Sequence, residues 1–150
     1  MMPNTTTPEN LTVQRVIRAP RERVFRAWTD PNEILKWFAP GDCRALQAHV
    51  ELRVGGNYHF RVFTHGIEMD LVGVFREITA PSRLVYTWQF KGGPPPDMPE
   101  TLVTVEFVEK GSSTEIRIKH EQLPTSEVRE QHRLGWEGCL DKLDALVATR

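Results

Sequence analysis

A chain of 150 residues, 39% apolar and 26% charged, has enough apolar surface for one globular domain with a real core and too little length for a second domain of ordinary size. Its 19 basic and 20 acidic residues give a formal charge of -1, which leaves no electrostatic footprint for nucleic acid or an anionic membrane. No apolar run approaches a membrane span, and the opening MMPNTTTPEN lacks the basic-then-apolar order of a signal peptide or anchor, so the expectation is a cytoplasmic protein with no membrane partner. Cys43 and Cys139 lie far apart without CxxC spacing. That excludes a zinc knuckle or a thioredoxin-like motif and leaves two buried or idle thiols.

Residues 1–10 are polar, threonine-rich and broken by proline, and read as a loose terminus ahead of a single domain over residues 11–150. LTVQRVIRA alternates as a first strand, with Leu11 and Val13 and, after a break, Val16 and Ile17. Pro20 then opens a helix at its favoured first position, and PRERVFRAWTD sets Val24, Phe25, Ala27 and Trp28 along one side. Asp30-Pro31 stops that helix and caps a second, PNEILKWF, with Ile34, Leu35, Trp37 and Phe38 as a bulky face. From residue 43 the period becomes two: CRALQAHVEL is a strand, Val54 to Gly56 a tight turn, and NYHFRVFTHG puts Tyr58, Phe60 and Val62 opposite His59, Arg61 and Phe63. IEMDLVGVFREI is a longer strand in which Gly73 suggests a bend or bulge, and RLVYTWQF lines up Leu84, Tyr86, Trp88 and Phe90. KGGPPPDMPE is an exposed loop. TLVTVEFVEK and TEIRIKHEQL then form a hairpin with Val103, Val105, Phe107, Ile116, Ile118 and His120 on a dry face and charged neighbours on a wet one.

The chain closes with a helix predicted from Thr125 to about Thr149, with Thr125 or Ser126 as N-cap and Glu127 and Glu130 in its first turn. Val128, His132, Gly135, Trp136, Cys139, Leu140, Leu143, Leu146 and Val147 share one side of it, and Arg129, Arg133, Glu137, Asp141, Lys142 and Asp144 the other. An antiparallel sheet with one apolar face needs a cover, and this helix supplies it. Because a twisted sheet curves around a helix, any gap between them becomes a pocket lined by the helix stripe and the inner strand residues.

RAPRERVFRAWTDPNEILKWFAP, LRVGGNYHFRV, GVFREITAPSRLVYTW, TLVTVEFVEKGSSTEIRIKHEQLP and HRLGWEGCLDKL follow one another in this chain. In that order they resemble a bacterial member of the activator of heat-shock-protein-90 ATPase homologue (AHSA-like) family, part of the START/Bet v 1-like SRPBCC superfamily, over about residues 11–148. The resemblance implies an α+β helix-grip fold: a curved antiparallel sheet of about six or seven strands wrapped around a long C-terminal helix and a hydrophobic cavity. It also implies a range of activities, because relatives bind lipids, hormones and polyketides, some cyclise or hydrolyse them, and the eukaryotic namesakes stimulate a chaperone ATPase. No single catalytic set defines the family, so none is transferred to this chain. The extra N-terminal domain of the eukaryotic co-chaperones has no counterpart in this sequence, which weighs against a chaperone role.

The expected ligand-binding residues are Trp37, Phe38, Tyr86, Trp88, Val105, Ile118, His120, His132, Trp136, Cys139 and Leu140. Weak catalytic candidates are His120 and His132, which can approach each other near one end of the cavity, and Glu68, which pairs with Asp70 two residues on; solvated or backbone-bonded histidines and a wet strand face explain the same residues. His59 and Arg61 are expected on the solvent side unless a bulge reverses the parity and turns Arg61 into a carboxylate-binding group. The KGGPPPDMPE loop and the helix at Asn32 to Phe38 are the expected mobile rim. There is no GxSxG elbow, Walker loop, HExxH or dinucleotide fingerprint, and the five histidines have no metal-ligand spacing, so neither cofactor nor metal is expected. The first expectation is a protein that sequesters or senses a small hydrophobic molecule, in a stress-response role. The alternatives are a cyclase- or hydrolase-type enzyme in the same cavity and a co-chaperone that docks a protein partner. An exposed edge strand leaves monomer and homodimer both open.

Overall fold

The computed structural model describes residues 9–93 and 98–149. The start of the predicted loose terminus and the centre of the KGGPPPDMPE loop, residues 94–97, lie outside the described residues. In chain order the elements are β1 (Glu9–Ile17), α1 (Arg21–Thr29), α2 (Pro31–Trp37), β2 (Arg44–Val50), β3 (Asn57–Thr64), β4 (Ile67–Thr79), β5 (Arg83–Lys91), β6 (Thr101–Lys110), β7 (Ser113–Leu123) and α3 (Ser126–Val147). The strands form one antiparallel sheet in the order β1-β7-β6-β5-β4-β3-β2. Consecutive hairpins build β2 through β7, and β1 returns to the far side of β7. The two short helices therefore carry the chain from one edge of the sheet to the other across its inner face.

Alternation decides which face each strand buries. In β6, Val103, Val105 and Phe107 are buried, and in β7, Ile116, Ile118 and His120, while Glu106, Glu115, Arg117 and Lys119 face out. The parity of β1 runs unbroken, with Leu11, Val13 and Ile17 inside and Val16 56% exposed, so the anticipated break in this strand does not occur. Glu9 and Asn10, expected in the loose terminus, belong to β1, whose register shifts between Glu9 and Leu11. Pro20 is the N-cap of α1 rather than its first residue, and Asp30 caps α2 by accepting from Asn32 N at 2.9 Å.

Thr125 is the N-cap of α3, accepting from Val128 N at 3.1 Å, and Trp136, Cys139, Leu140, Leu143 and Val147 form the buried stripe. The helix lies along the β1–β7 side of the sheet, tied to β1 at both ends: Arg129 pairs with Glu9 at 2.6 Å and Asp141 with Arg15 at 2.9 Å. Gly138 lets it approach the α2–β2 connection, where a Cβ would stand 2.5 Å from the Pro40 ring.

The bulge of β4 falls at Arg76, between Phe75 and Glu77, and not at Gly73. Gly73 has a different task. It pairs across the sheet with Tyr58, whose ring lies over it, and a Cβ there would sit 2.0 Å from the Thr87 carbonyl oxygen and 2.4 Å from the Tyr58 ring. Tyr58 donates its hydroxyl to that same carbonyl, and the Thr87 side chain accepts from Val74 N at 2.8 Å, so the polar groups around the gap are matched by side chains. Gly73→Ala should therefore destabilise the fold by roughly 1–3 kcal/mol in urea unfolding, as expected of overpacking against backbone. An unchanged midpoint would mean that the Tyr58 ring moves aside freely.

Candidate functional site

Aromatic rings run through the interior, and its two halves differ. Under α3, Trp136 stacks against Trp28 (6.1 Å between centroids) and meets Trp88 at 5.1 Å, with Val105, Ile118, Cys139 and Leu140 buried around them. On the other side, between α1–α2 and strands β2 to β5, lies a cavity of about 20 Å³. Trp28, Ile34, Trp37 and Phe38 of the helical segment form its roof, and Val50, Tyr58, Phe60, Phe75, Tyr86 and Trp88 its floor. A volume of that size accommodates about one water molecule.

Of the residues expected to bind ligand, Trp37, Phe38, Tyr86 and Trp88 stand together on this wall. Val105, Ile118, His120, His132, Trp136, Cys139 and Leu140 lie beyond its lining, Val105 and Ile118 on β6 and β7 and the α3 residues beneath their helix. Trp28, Ile34, Val50, Tyr58, Phe60 and Phe75 complete the wall without having been singled out. Tyr58, Phe60 and Trp28 were on predicted apolar faces, so parity could have nominated them; Val50 and Phe75 needed the pairing of β2, β3 and β4.

His120 and His132 do meet, with ring centroids 5.0 Å apart. Their protonation follows from their partners, because an indole N–H can only donate. Trp136 Nε1 donates to His120 Nδ1 at 3.2 Å, so the His120 proton sits on Nε2, which faces Thr101 Oγ1 at 2.8 Å; that hydroxyl in turn donates to the Trp88 carbonyl at 2.9 Å. Trp88 Nε1 donates to His132 Nε2 at 3.3 Å, and His132 Nδ1–H donates to the Val128 carbonyl at 2.9 Å. Both rings are neutral and both nitrogens of each are committed. Burial, reinforced by the neighbouring His132, pushes His120 down to about 2, and burial outweighs the Val128 hydrogen bond in lowering His132. An imidazole in this state orients its neighbours and has no lone pair free to act as a base.

The other polar groups of the interior are equally constrained. Burial pushes the Cys139 thiol up to about 12, and its sulfur accepts from Ala39 N at 3.3 Å. Lys142 Nζ donates to the carbonyls of Ala39 (2.7 Å) and Cys43 (3.3 Å). These contacts hold Ala39 at φ 107°, a left-handed value costly for alanine, and so pin the segment after Phe38 to α3.

Glu68 lies on the outer face, 2.7 Å from Arg61, and Asp70 bonds His59 at 2.8 Å and Arg61 at 3.0 Å. The His59 hydrogen bond, aided by Arg61, draws the Asp70 carboxyl below its ordinary range. A concavity of about 410 Å³ on this outer face, bordered by His49, His59, Val72, Val74, Gln89 and Glu100, is open to solvent. Among the described residues no group of three or more His, Cys, Asp or Glu side chains is arranged to hold a metal ion, and no helix is long and apolar enough to cross a membrane.

A seven-stranded antiparallel sheet curved around a long C-terminal helix, with two short helices after the first strand, is the helix-grip architecture. The chain belongs to the family described as Activator of Hsp90 ATPase homolog 1-like protein, whose model matches residues 18–148. It is similar to a protein of Chromobacterium violaceum, with 28% identity and a TM-score of 0.83 over 95% of this chain and 99% of that one. An AHSA1-like protein of Aeromonas hydrophila is 25% identical, with a TM-score of 0.75 over 91% of this chain and 90% of that one. A putative uncharacterized protein of Rhizobium leguminosarum is 26% identical, with a TM-score of 0.77 over 93% of each chain. Comparison with curated proteins gives no match.

The buried histidines make stability depend on pH with a definite sign. The folded state disfavours protonation of His120, so its contribution is complete above the ordinary histidine range near 6.5 and is lost as pH falls from there towards 2. Between pH 7 and 4.5, wild type should lose about 3 kcal/mol more unfolding free energy than His120→Gln, read from urea titrations at both pH values. Equal losses would mean that His120 takes up a proton in the folded protein.

Proposed function

We propose that this protein binds a small, uncharged, largely aromatic molecule between its α1–α2 segment and the sheet, and that it acts by holding the molecule rather than by converting it. The observation that carries this reading is the cavity wall: ten side chains, eight of them aromatic, and none charged. Pockets of that composition recognise ligands by apolar contact and ring packing. At about 20 Å³ the cavity is the closed form of such a site. Admission of a ring requires its roof to lift, and the roof is a seven-residue helix followed by the segment latched through Ala39, Cys139 and Lys142. Short elements of this kind open at the lowest free-energy cost.

The imidazoles closest to the cavity are committed to Trp88, Trp136, Thr101 and Val128, and Glu68 is on the opposite face of the sheet, which favours retention over an acid–base reaction. The co-chaperone alternative draws its support from the family description alone.

N-phenyl-1-naphthylamine, a neutral aromatic dye that brightens in apolar surroundings, should bind saturably at one molecule per chain and quench the tryptophans of the roof and floor. Val50→Phe, which fills the cavity from β2, should weaken that binding by about tenfold, on the order of the transfer free energy of a displaced apolar ring portion, while leaving the circular dichroism unchanged. Binding equal in Val50→Phe and wild type would place the dye elsewhere and contradict the proposal.

A further inference from the structure

We propose that the Tyr86 hydroxyl is the ligand-anchoring donor of this cavity and selects neutral aromatic molecules carrying one exposed hydrogen-bond acceptor, an aryl ketone being the simplest case. The inference rests on the small-molecule reading above and adds the chemistry that the site distinguishes.

It follows from accounting for every donor on the wall. Trp37 Nε1 is committed to the Ala27 carbonyl at 2.8 Å and Trp88 Nε1 to His132 at 3.3 Å. Tyr58 gives its hydroxyl proton to the Thr87 carbonyl. Trp28 Nε1 donates to the Tyr86 oxygen at 3.2 Å. Tyr86 thus accepts, and its own O–H finds no acceptor among the described residues, although the residue is only 6% exposed. A buried hydroxyl normally finds a partner for its proton, because leaving it unmet forfeits the hydrogen bond it made with water. Tyr86 lines the cavity, whose volume has room for about one oxygen-sized group. Burial raises its ionisation well above the usual phenol range, so the group remains a donor at any physiological pH.

The same accounting excludes other ligand classes. No cation lines the wall, so a carboxylate or phosphate would lose its hydration without a counter-charge. No carboxylate lines it either, which disfavours a protonated alkylamine. A ligand donor would have to share the one hydroxyl oxygen already used by Trp28. What fits is a flat apolar body with a carbonyl or ether oxygen aimed at Tyr86.

The test uses two probes of nearly the same shape, acetophenone and α-methylstyrene, in which C=O is replaced by C=CH₂, titrated by tryptophan fluorescence into wild type and Tyr86→Phe. Loss of one neutral hydrogen bond should weaken acetophenone by about three- to tenfold, while α-methylstyrene shifts by less than about twofold on the same basis. The α-methylstyrene result also controls for the Trp28 N–H that Tyr86→Phe leaves unpaired. If both probes bind wild type and Tyr86→Phe moves them equally or not at all, the anchoring role is overturned and the aromatic pocket stands. If neither binds wild type, the small-molecule reading falls and this inference with it.

Discussion

The indole N–H of Trp136 points into Nδ1 of His120, and the direction of that one proton sets the state of the polar groups around it. His120 must protonate on Nε2, Thr101 must accept there and donate to the Trp88 carbonyl, and the Trp88 indole must in turn find an acceptor, which His132 supplies. These contacts join β5, β6, β7 and α3, so the cover of the sheet is fixed in rotation as well as position. Greasy contact alone would tolerate a helix turned by several degrees; a buried hydrogen-bond network does not, because each broken link leaves an unmatched polar group in a low-dielectric interior.

With α3 held this way, the remaining space falls to one side. The helix occupies the β1–β7 half, and the α1–α2 segment must roof the other half with only two short helices. Large rings fill it: Trp28, Trp37 and Phe38 from above meet Tyr58, Phe60, Phe75 and Tyr86 from below. Two devices let them fit. Gly73 leaves room for the Tyr58 ring against the sheet, and the left-handed Ala39, latched by Cys139 and Lys142, turns the chain sharply after Phe38. A rigid half that carries a saturated polar network and a half roofed by short elements divide the labour of stability and access.

Much of this was legible in the residues. Period-two alternation placed His120 inward with Ile116 and Ile118, and three- and four-residue spacing picked out the buried stripe of α3, because both patterns depend only on local geometry. The outward parity of His59, Arg61, Glu68 and Asp70 was readable for the same reason. What stayed hidden depends on which strands become neighbours. The Thr101–His120 bond needs the β6–β7 register, and the role of Gly73 needs Tyr58 opposite it on β3. Nor does an amphipathic stripe say over which half of a sheet its helix will lie. The α3 residues Trp136, Cys139 and Leu140 were therefore expected along the cavity, whose wall is drawn instead from α1, α2 and β2 to β5. Val50 and Phe75 carried no sequence signal for that wall.

The central claim is that two buried imidazoles are neutral, each in one fixed tautomer. Long-range ¹H–¹⁵N correlation spectra of the histidine rings at pH 7 and pH 5 test it directly. At pH 7 His120 should carry its proton on Nε2 alone and His132 on Nδ1 alone, and at pH 5 the His120 pattern should be unchanged. A doubly protonated His120 ring at pH 5, or the opposite tautomer at either histidine at pH 7, would contradict it.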